Sequence, residues 1–295
     1  MPDTRPRLDF VVVGAQKSAT SWLYLCLRDH PGIHLPPVKR EREYVGSAEY
    51  RRRGADWFFE QVGTPGAGQV VGDVSVEYLV DPCAPQHVAA LAPSARAVAL
   101  VRHPVDRALS AHGWLLRRGD IDERDAADAL RRALDDEAAG RDTVHTGLLT
   151  TGDYDVQLAR WVEALGAAHV YVDRFDRVAS NPTSVLEGIY GFLEVDQAFE
   201  PPSRTERPKQ NARSRLLVAA ERLAPRSRLV RYATNRLNQL AARVAGPAPP
   251  PDLPADLRAA LDARFAPHVA GLDRLVRQLP AANRPAQTFE DAWPR

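Results

Sequence analysis

Cysteine is scarce: the chain of 295 residues holds two, Cys26 and Cys83. Two cysteines make no disulfide framework and point to a reducing compartment. Net charge is nearly absent as well. With 39 basic side chains against 38 acidic ones the formal charge is +1, so no global field draws a nucleic acid, and an anion site must be built locally. No run reaches the roughly 18 apolar residues of a membrane span. The opening Met1-Pro-Asp-Thr-Arg-Pro-Arg-Leu-Asp9 lacks the apolar core of a signal peptide. The expectation is an unprocessed, cytoplasmic chain without a membrane span. There is no internal repeat and no Cys/His spacing of the metal-binding kind. A length of 295 residues suits one large domain or two small ones, and 44% hydrophobic residues suffice for a sizeable core.

Two stretches carry chemistry. The first is Phe10-Val-Val-Val-Gly14-Ala-Gln-Lys17-Ser18-Ala19-Thr20-Ser21-Trp22-Leu23. Residues 10–13 read as a buried strand of a parallel sheet. Gly14 ends it, a short polar loop follows, and Trp-Leu-Tyr-Leu-Cys-Leu reads as a buried helix. Strand, small-residue loop and helix N-terminus make an anion cradle, where free N–H groups meet the positive end of the helix dipole. Lys17 adds a mobile charge, and Thr20 and Ser21 add hydroxyls. This is not the nucleotide-triphosphatase loop, in which lysine directly precedes the hydroxyl residue and works with Mg²⁺; Lys17 stands three residues before Thr20. In the second stretch an apolar strand, residues 97–101, runs into Arg102-His-Pro104-Val-Asp-Arg107-Ala-Leu-Ser110. Pro104 suits the first turn of a helix. Arg107 and Ser110, three apart, share a helix face, and a guanidinium fork with a short hydroxyl suits phosphate.

The patterns G-x-x-K-x-[GA]-T-[ST]-W-L over residues 14–23 and R-x-P-x-x-R-x-x-S over residues 102–110 resemble the two phosphate sites of sulfotransferases that use 3′-phosphoadenosine 5′-phosphosulfate (PAPS), in their bacterial and Golgi-type forms. The resemblance implies that Lys17, Ser18, Ala19, Thr20, Ser21 and Trp22 receive the 5′-phosphosulfate. It implies that Arg102 and Ser110 hold the 3′-phosphate, which distinguishes PAPS from ATP. Ala19 stands where most members have glycine, and a helical or extended backbone rather than positive φ is expected there.

Weaker similarities follow in family order. Lys39-Arg40-Glu41-Arg42-Glu43-Tyr44 resembles the family's P-K-K-E-P-H-[YF]-F. That resemblance implies a glutamate general base, with Arg40 or Lys39 orienting the sulfuryl oxygens. Glu43 replaces the usual histidine and Val45 the second aromatic, so the base stays open between Glu41 and Glu43, with Glu41 favoured. Residues 72–79 are similar to G-[DE]-x-[ST]-P-x-Y-L, with Ser75 and Tyr78 matching and Val76 in place of proline. Asp73 or Glu77 either faces the acceptor or serves a helix N-terminus. The segment with Trp57 and Phe58 is similar to one beside the active-site mouth, and arginines 51–53 read as solvated. Trp114 and His145 are acceptor-pocket candidates. The basic segment 204–215 matches a loop that closes over PAPS in the family, with Arg207, Lys209 and Arg213 as candidate contacts. Residues 216–244 read as helical, 246–254 as a stiff Pro-rich linker, and 255–279 as an amphipathic helix interrupted at Pro267.

Together these imply a single α/β sulfotransferase domain over 1–295, with a P-loop-like, mostly parallel central sheet flanked by helices. Its core is 8–200, followed by a covering loop and helices (201–245), the linker and a C-terminal helix and tail (255–295). The implied reaction moves a sulfuryl group from PAPS to a hydroxyl or amine of a small molecule, lipid or carbohydrate, leaving 3′,5′-ADP, without metal. Two other readings stay open. One is an ATP-dependent P-loop kinase, opposed by the displaced lysine and by Asp73 being the only near candidate for Mg²⁺. The other is a non-catalytic PAPS-binding protein, suggested by Glu43, Val45 and Val76.

Overall fold

The structure, a computed structural model, describes residues 7–205 and 252–293. The expectations for Arg207, Lys209, Arg213, the helix 216–244 and the linker up to residue 251 lie outside them. By internal contacts the chain divides into two compact units: Met1–Pro104 with Thr151–Glu206 and Asp262–Arg295, and Val105–Thr150 with Arg207–Leu261.

The first unit contains a five-stranded sheet: β1 (Phe10–Gly14), β2 (Ile33–His34), β3 (Val70–Val74), β4 (Arg96–Val101) and β5 (Val170–Arg174), in the order β2-β3-β1-β4-β5. Every pairing is parallel, as the apolar runs predict. The helices among the described residues are α1 (Thr20–Asp29), α2 (Ala48–Val62), α3 (Glu77–Val80), α4 (Ala84–Leu91), α5 (Pro104–Arg118), α6 (Ala126–Ala138), α7 (Gly147–Thr150), α8 (Tyr154–Leu165), α9 (Phe175–Ser180), α10 (Pro182–Leu193), α11 (Ala255–Val276) and α12 (Phe289–Ala292). None of them is long and apolar enough to cross a membrane.

Successive strand residues point to opposite faces, and both faces are buried. Val11, Val13, Ala97, Ala99, Val101, Val170 and Val172 join a cluster with Phe58 of α2, Val88 of α4, Leu158 and Trp161 of α8, and Leu272 and Val276 of α11. Phe10, Val12, Val98, Leu100 and Tyr171 face the other way, onto Trp22, Leu23, Cys26 and Leu27 of α1 and Leu186, Ile189 and Tyr190 of α10. Burial on two faces explains why these strands are apolar throughout rather than alternating.

One local expectation changes. The helix is not interrupted at Pro267: α11 runs through it. Proline there removes one backbone hydrogen bond, and the packing of Leu272, Leu275 and Val276 into the core offsets the loss. The segment with Trp57 and Phe58 bends at Gly54, which takes φ 84°, and both aromatics are buried in the first cluster.

Within the second unit, Asp125 caps α6 through its side chain. Glu123 receives Arg132 at 2.6 Å and His145 at 3.0 Å. The His145 hydrogen bond is the main reason its carboxyl is held down, to about 2.

From β1 the chain builds β2 and β3 on one side and then crosses to β4 and β5 on the other. This reversal leaves a crevice at the carboxyl end of β1, where ligands bind in open α/β sheets. The β1–β3 contact is tight. A methyl group on Gly72 would lie 2.1 Å from the ring of its register partner Phe10. Gly72→Ala is expected to destabilise the fold by about 1–3 kcal/mol, the usual cost of overpacking, read as a lower urea midpoint with an unchanged m-value.

Candidate active site

The loop between β1 and α1 is shaped by its backbone. Ala15 N–H donates to Leu100 O at 2.7 Å, and Ser18 N–H to Ala15 O at 3.3 Å. Lys17 takes φ 69°, and Ala19, the N-cap of α1, takes φ 65° and ψ 18°. Ala19 is therefore left-handed, against expectation. The turn that aims the helix N-terminus at the crevice needs that conformation, and the surroundings impose it on an alanine at a cost of about 1–2 kcal/mol.

No side chain caps α1 and no acid stands in its first turn, so its first amides are left for a ligand. Ser18 is fully buried, with its hydroxyl unpartnered. Trp22 lies in the core, and its indole N–H donates to Arg204 O at 3.2 Å. A contact from Trp22 to a bound anion would come through its backbone. Ser21 is exposed.

Arg102 follows β4 directly. Its Nη1 donates to Lys17 O at 3.4 Å, and its guanidinium carbon lies over the Phe175 ring, 4.6 Å from the ring centre. The sequence offers no motif for Phe175. Only the pairing of β4 with β5, which sets Val101 beside Arg174, brings it next to Arg102. Arg107 is not presented to a ligand: it is fully buried in the second unit and donates to Leu148 O. Ser110 is half-buried on α5 in the second unit, and its assignment rests on the motif alone. Trp114, also of the second unit, stacks under Arg118.

The charged cluster after β2 reaches the same crevice. Lys39 Nζ donates to Thr20 Oγ1 at 3.2 Å and to Glu41 Oε1 at 2.6 Å. The other oxygen of Glu41 accepts from Val76 N–H at 3.1 Å, and its carbonyl accepts from Ser75 Oγ at 2.8 Å. Arg40 Nη1 donates to Glu43 at 3.4 Å, while its Nε and Nη2 are buried without a hydrogen-bond partner. Arginines 51–53 are exposed, as expected.

Beneath the cluster, Tyr78 Oη donates to Asp73 Oδ2 at 2.8 Å and accepts from Val45 N–H at 3.0 Å. Asp73 is thus a buried strut rather than an acceptor-facing group. Desolvation raises its carboxyl to about 6, against the opposing pull of Tyr78 and Arg40. Unspent donors, an uncapped helix N-terminus and the bases Lys17, Lys39 and Arg102 fit a bound oxyanion. Among the described residues no group of three His, Cys, Asp or Glu could hold a metal.

The family model described as "Sulfotransferase domain" matches residues 7–215. The bifunctional heparan sulfate N-deacetylase/N-sulfotransferase 1 of Caenorhabditis elegans is 24% identical over 275 residues, covering 92% of this chain and 30% of its own length. Its human namesake is 26% identical over 208 residues, covering 67% of this chain and 23% of its own. The chain thus spans under a third of these curated relatives. A sulfotransferase crystal structure from Alicyclobacillus acidocaldarius superposes with a TM-score of 0.67 at 24% identity, covering 94% of this chain and 98% of that one.

Asp73 yields a pH prediction. Its folded-state value near 6 lies above the ordinary 3.8, so the folded chain keeps a proton that the unfolded chain releases, and stability falls as pH rises through that window. Asp73→Asn keeps an acceptor for Tyr78 but cannot titrate. Urea unfolding across pH 4 to 7 should show the wild type losing stability relative to Asp73→Asn as pH rises; parallel curves would refute it.

Proposed function

The chain belongs to the sulfotransferase family, and on that footing we propose that it transfers a sulfuryl group from PAPS to an acceptor hydroxyl or amine, with Glu41 as general base. The observation that carries this reading is Lys39, which touches Thr20 at the anion cradle and Glu41 at once. Glu43 pairs instead with Arg40, which favours Glu41 for the base.

The 14–22 loop would hold the 5′-phosphosulfate and Arg102 the 3′-phosphate. Bound there, PAPS supplies the sulfuryl group. Lys17 and the first amides of α1 stabilise the charge that gathers on the departing phosphate oxygen; one such donor is typically worth about 3 kcal/mol. Lys39 and Arg40 orient the sulfuryl oxygens. Glu41 takes the proton from the acceptor as its oxygen or nitrogen bonds to sulfur. The acceptor is proposed to be a small molecule, lipid or carbohydrate. The curated relatives are named as N-sulfotransferases, so amino sugars belong first on an acceptor panel.

Calorimetric titration without metal should show 3′,5′-ADP binding more tightly than 5′-AMP or ATP. Arg102→Ala should weaken 3′,5′-ADP by roughly 10- to 100-fold, the worth of a charged hydrogen bond. Equal or tighter ATP binding would favour a kinase and overturn the reading. On any acceptor that is turned over, Glu41→Gln should lower kcat by about 10²–10⁴ with PAPS affinity nearly unchanged. Full turnover by Glu41→Gln would reject it as the base.

A further inference from the structure

We propose that Phe175 is a positioning residue for the 3′-phosphate: it holds the Arg102 guanidinium in the orientation that makes the site prefer a 3′-phosphorylated nucleotide. The proposal deepens the reading of Arg102 above and rests on it. In the parallel register Val101 stands beside Arg174, so the residues that leave the two strands, Arg102 and Phe175, emerge as neighbours at the carboxyl edge of the sheet. The Phe175 ring is itself anchored, half-buried against the cluster that includes Tyr171 and Val178.

The guanidinium lies 4.6 Å from the centre of that ring, and its Nη1 donates to Lys17 O at 3.4 Å. A guanidinium carbon seated over a ring is held there by the ring's negative face while its N–H groups remain donors. One donor is tied to the loop that would take the 5′-phosphosulfate. The fork is thereby fixed in relation to that loop before any nucleotide arrives. A free arginine side chain would have to be ordered on binding. Through Arg102, Phe175 therefore acts chiefly on affinity for the 3′-phosphate.

Titration of 3′,5′-ADP and 5′-AMP on the wild type, Phe175→Leu and Phe175→Tyr separates this role from packing. Leucine keeps the apolar volume and loses the ring face; tyrosine keeps the face. Phe175→Leu should weaken 3′,5′-ADP by roughly three- to thirty-fold and leave 5′-AMP within about twofold, the range of a cation–π contact. Phe175→Tyr should keep the preference. In an Arg102→Ala background, which has no cation for the ring to hold, Phe175→Leu should add no further loss.

Unchanged 3′,5′-ADP binding by Phe175→Leu overturns the proposal. So does an equal loss for both nucleotides, which would make Phe175 a base contact or a packing residue. A wild type that binds 5′-AMP as well as 3′,5′-ADP overturns the underlying reading of Arg102 and the proposal with it. A wild-type preference that Phe175→Leu leaves intact overturns the proposal alone.

Discussion

Strand β1 is hydrogen-bonded on both edges, to β3 and to β4, and this constraint orders the rest of the molecule. A central strand has no free edge along which to continue, so its chain leaves over the carboxyl end of the sheet. A short loop must then turn it back onto the apolar face that Phe10 and Val12 present. The turn is tight enough to force Lys17 and Ala19 into positive φ. In return the N-terminus of α1 points its uncapped amides into the crevice. The same edge receives Arg102 from β4, Phe175 from the end of β5, and Ser75 and Val76 from the end of β3. That these groups meet at one edge follows from parallel strands ending on one side.

The loop around Glu41 has no helix or strand, and its order is borrowed. The turn after β3 holds it at three points: Ser75 on the Glu41 carbonyl, Val76 on its carboxylate, and Tyr78 on the backbone of Val45. Tyr78 can do this because Asp73 accepts its proton, and Asp73 is buried to do so. A carboxylate taken fully out of water costs stability unless it is paired. Here the fold carries that cost beneath the charged loop rather than in the open crevice. Val76 is instructive as a departure from the family pattern. A proline in its place would have no N–H to give, whereas valine supplies the donor that holds one Glu41 oxygen.

Much of the fold was legible because each level of the sequence agreed. Apolar runs such as 10–13 and 97–101, each ended by a loop and followed by a helical period, admit few arrangements other than a parallel sheet covered on both faces. The cradle was legible for the same reason, since a strand, a small-residue loop and a buried helix imply free amides at a known place. Other features were not legible. Ala19 was expected to avoid positive φ because that is its local preference; closure of the turn outweighs it. Arg107 looked like a phosphate ligand at helical spacing from Ser110, but spacing along one helix does not say which face is buried. Pro267 read as a break, yet apolar packing of the residues beyond it carries α11 through.

By itself, then, the sequence determined the class of fold, the two motifs that resemble phosphate sites and the chemical types at the crevice. These depend on local periodicity and on residues close together in the chain. Only the tertiary structure decided which charged groups meet. The Lys39 bridge between Thr20 and Glu41, the strut of Asp73 and Tyr78, and the Phe175 face under Arg102 join residues from separate elements. Their contacts are set by strand order and register, quantities that no single stretch of the chain encodes.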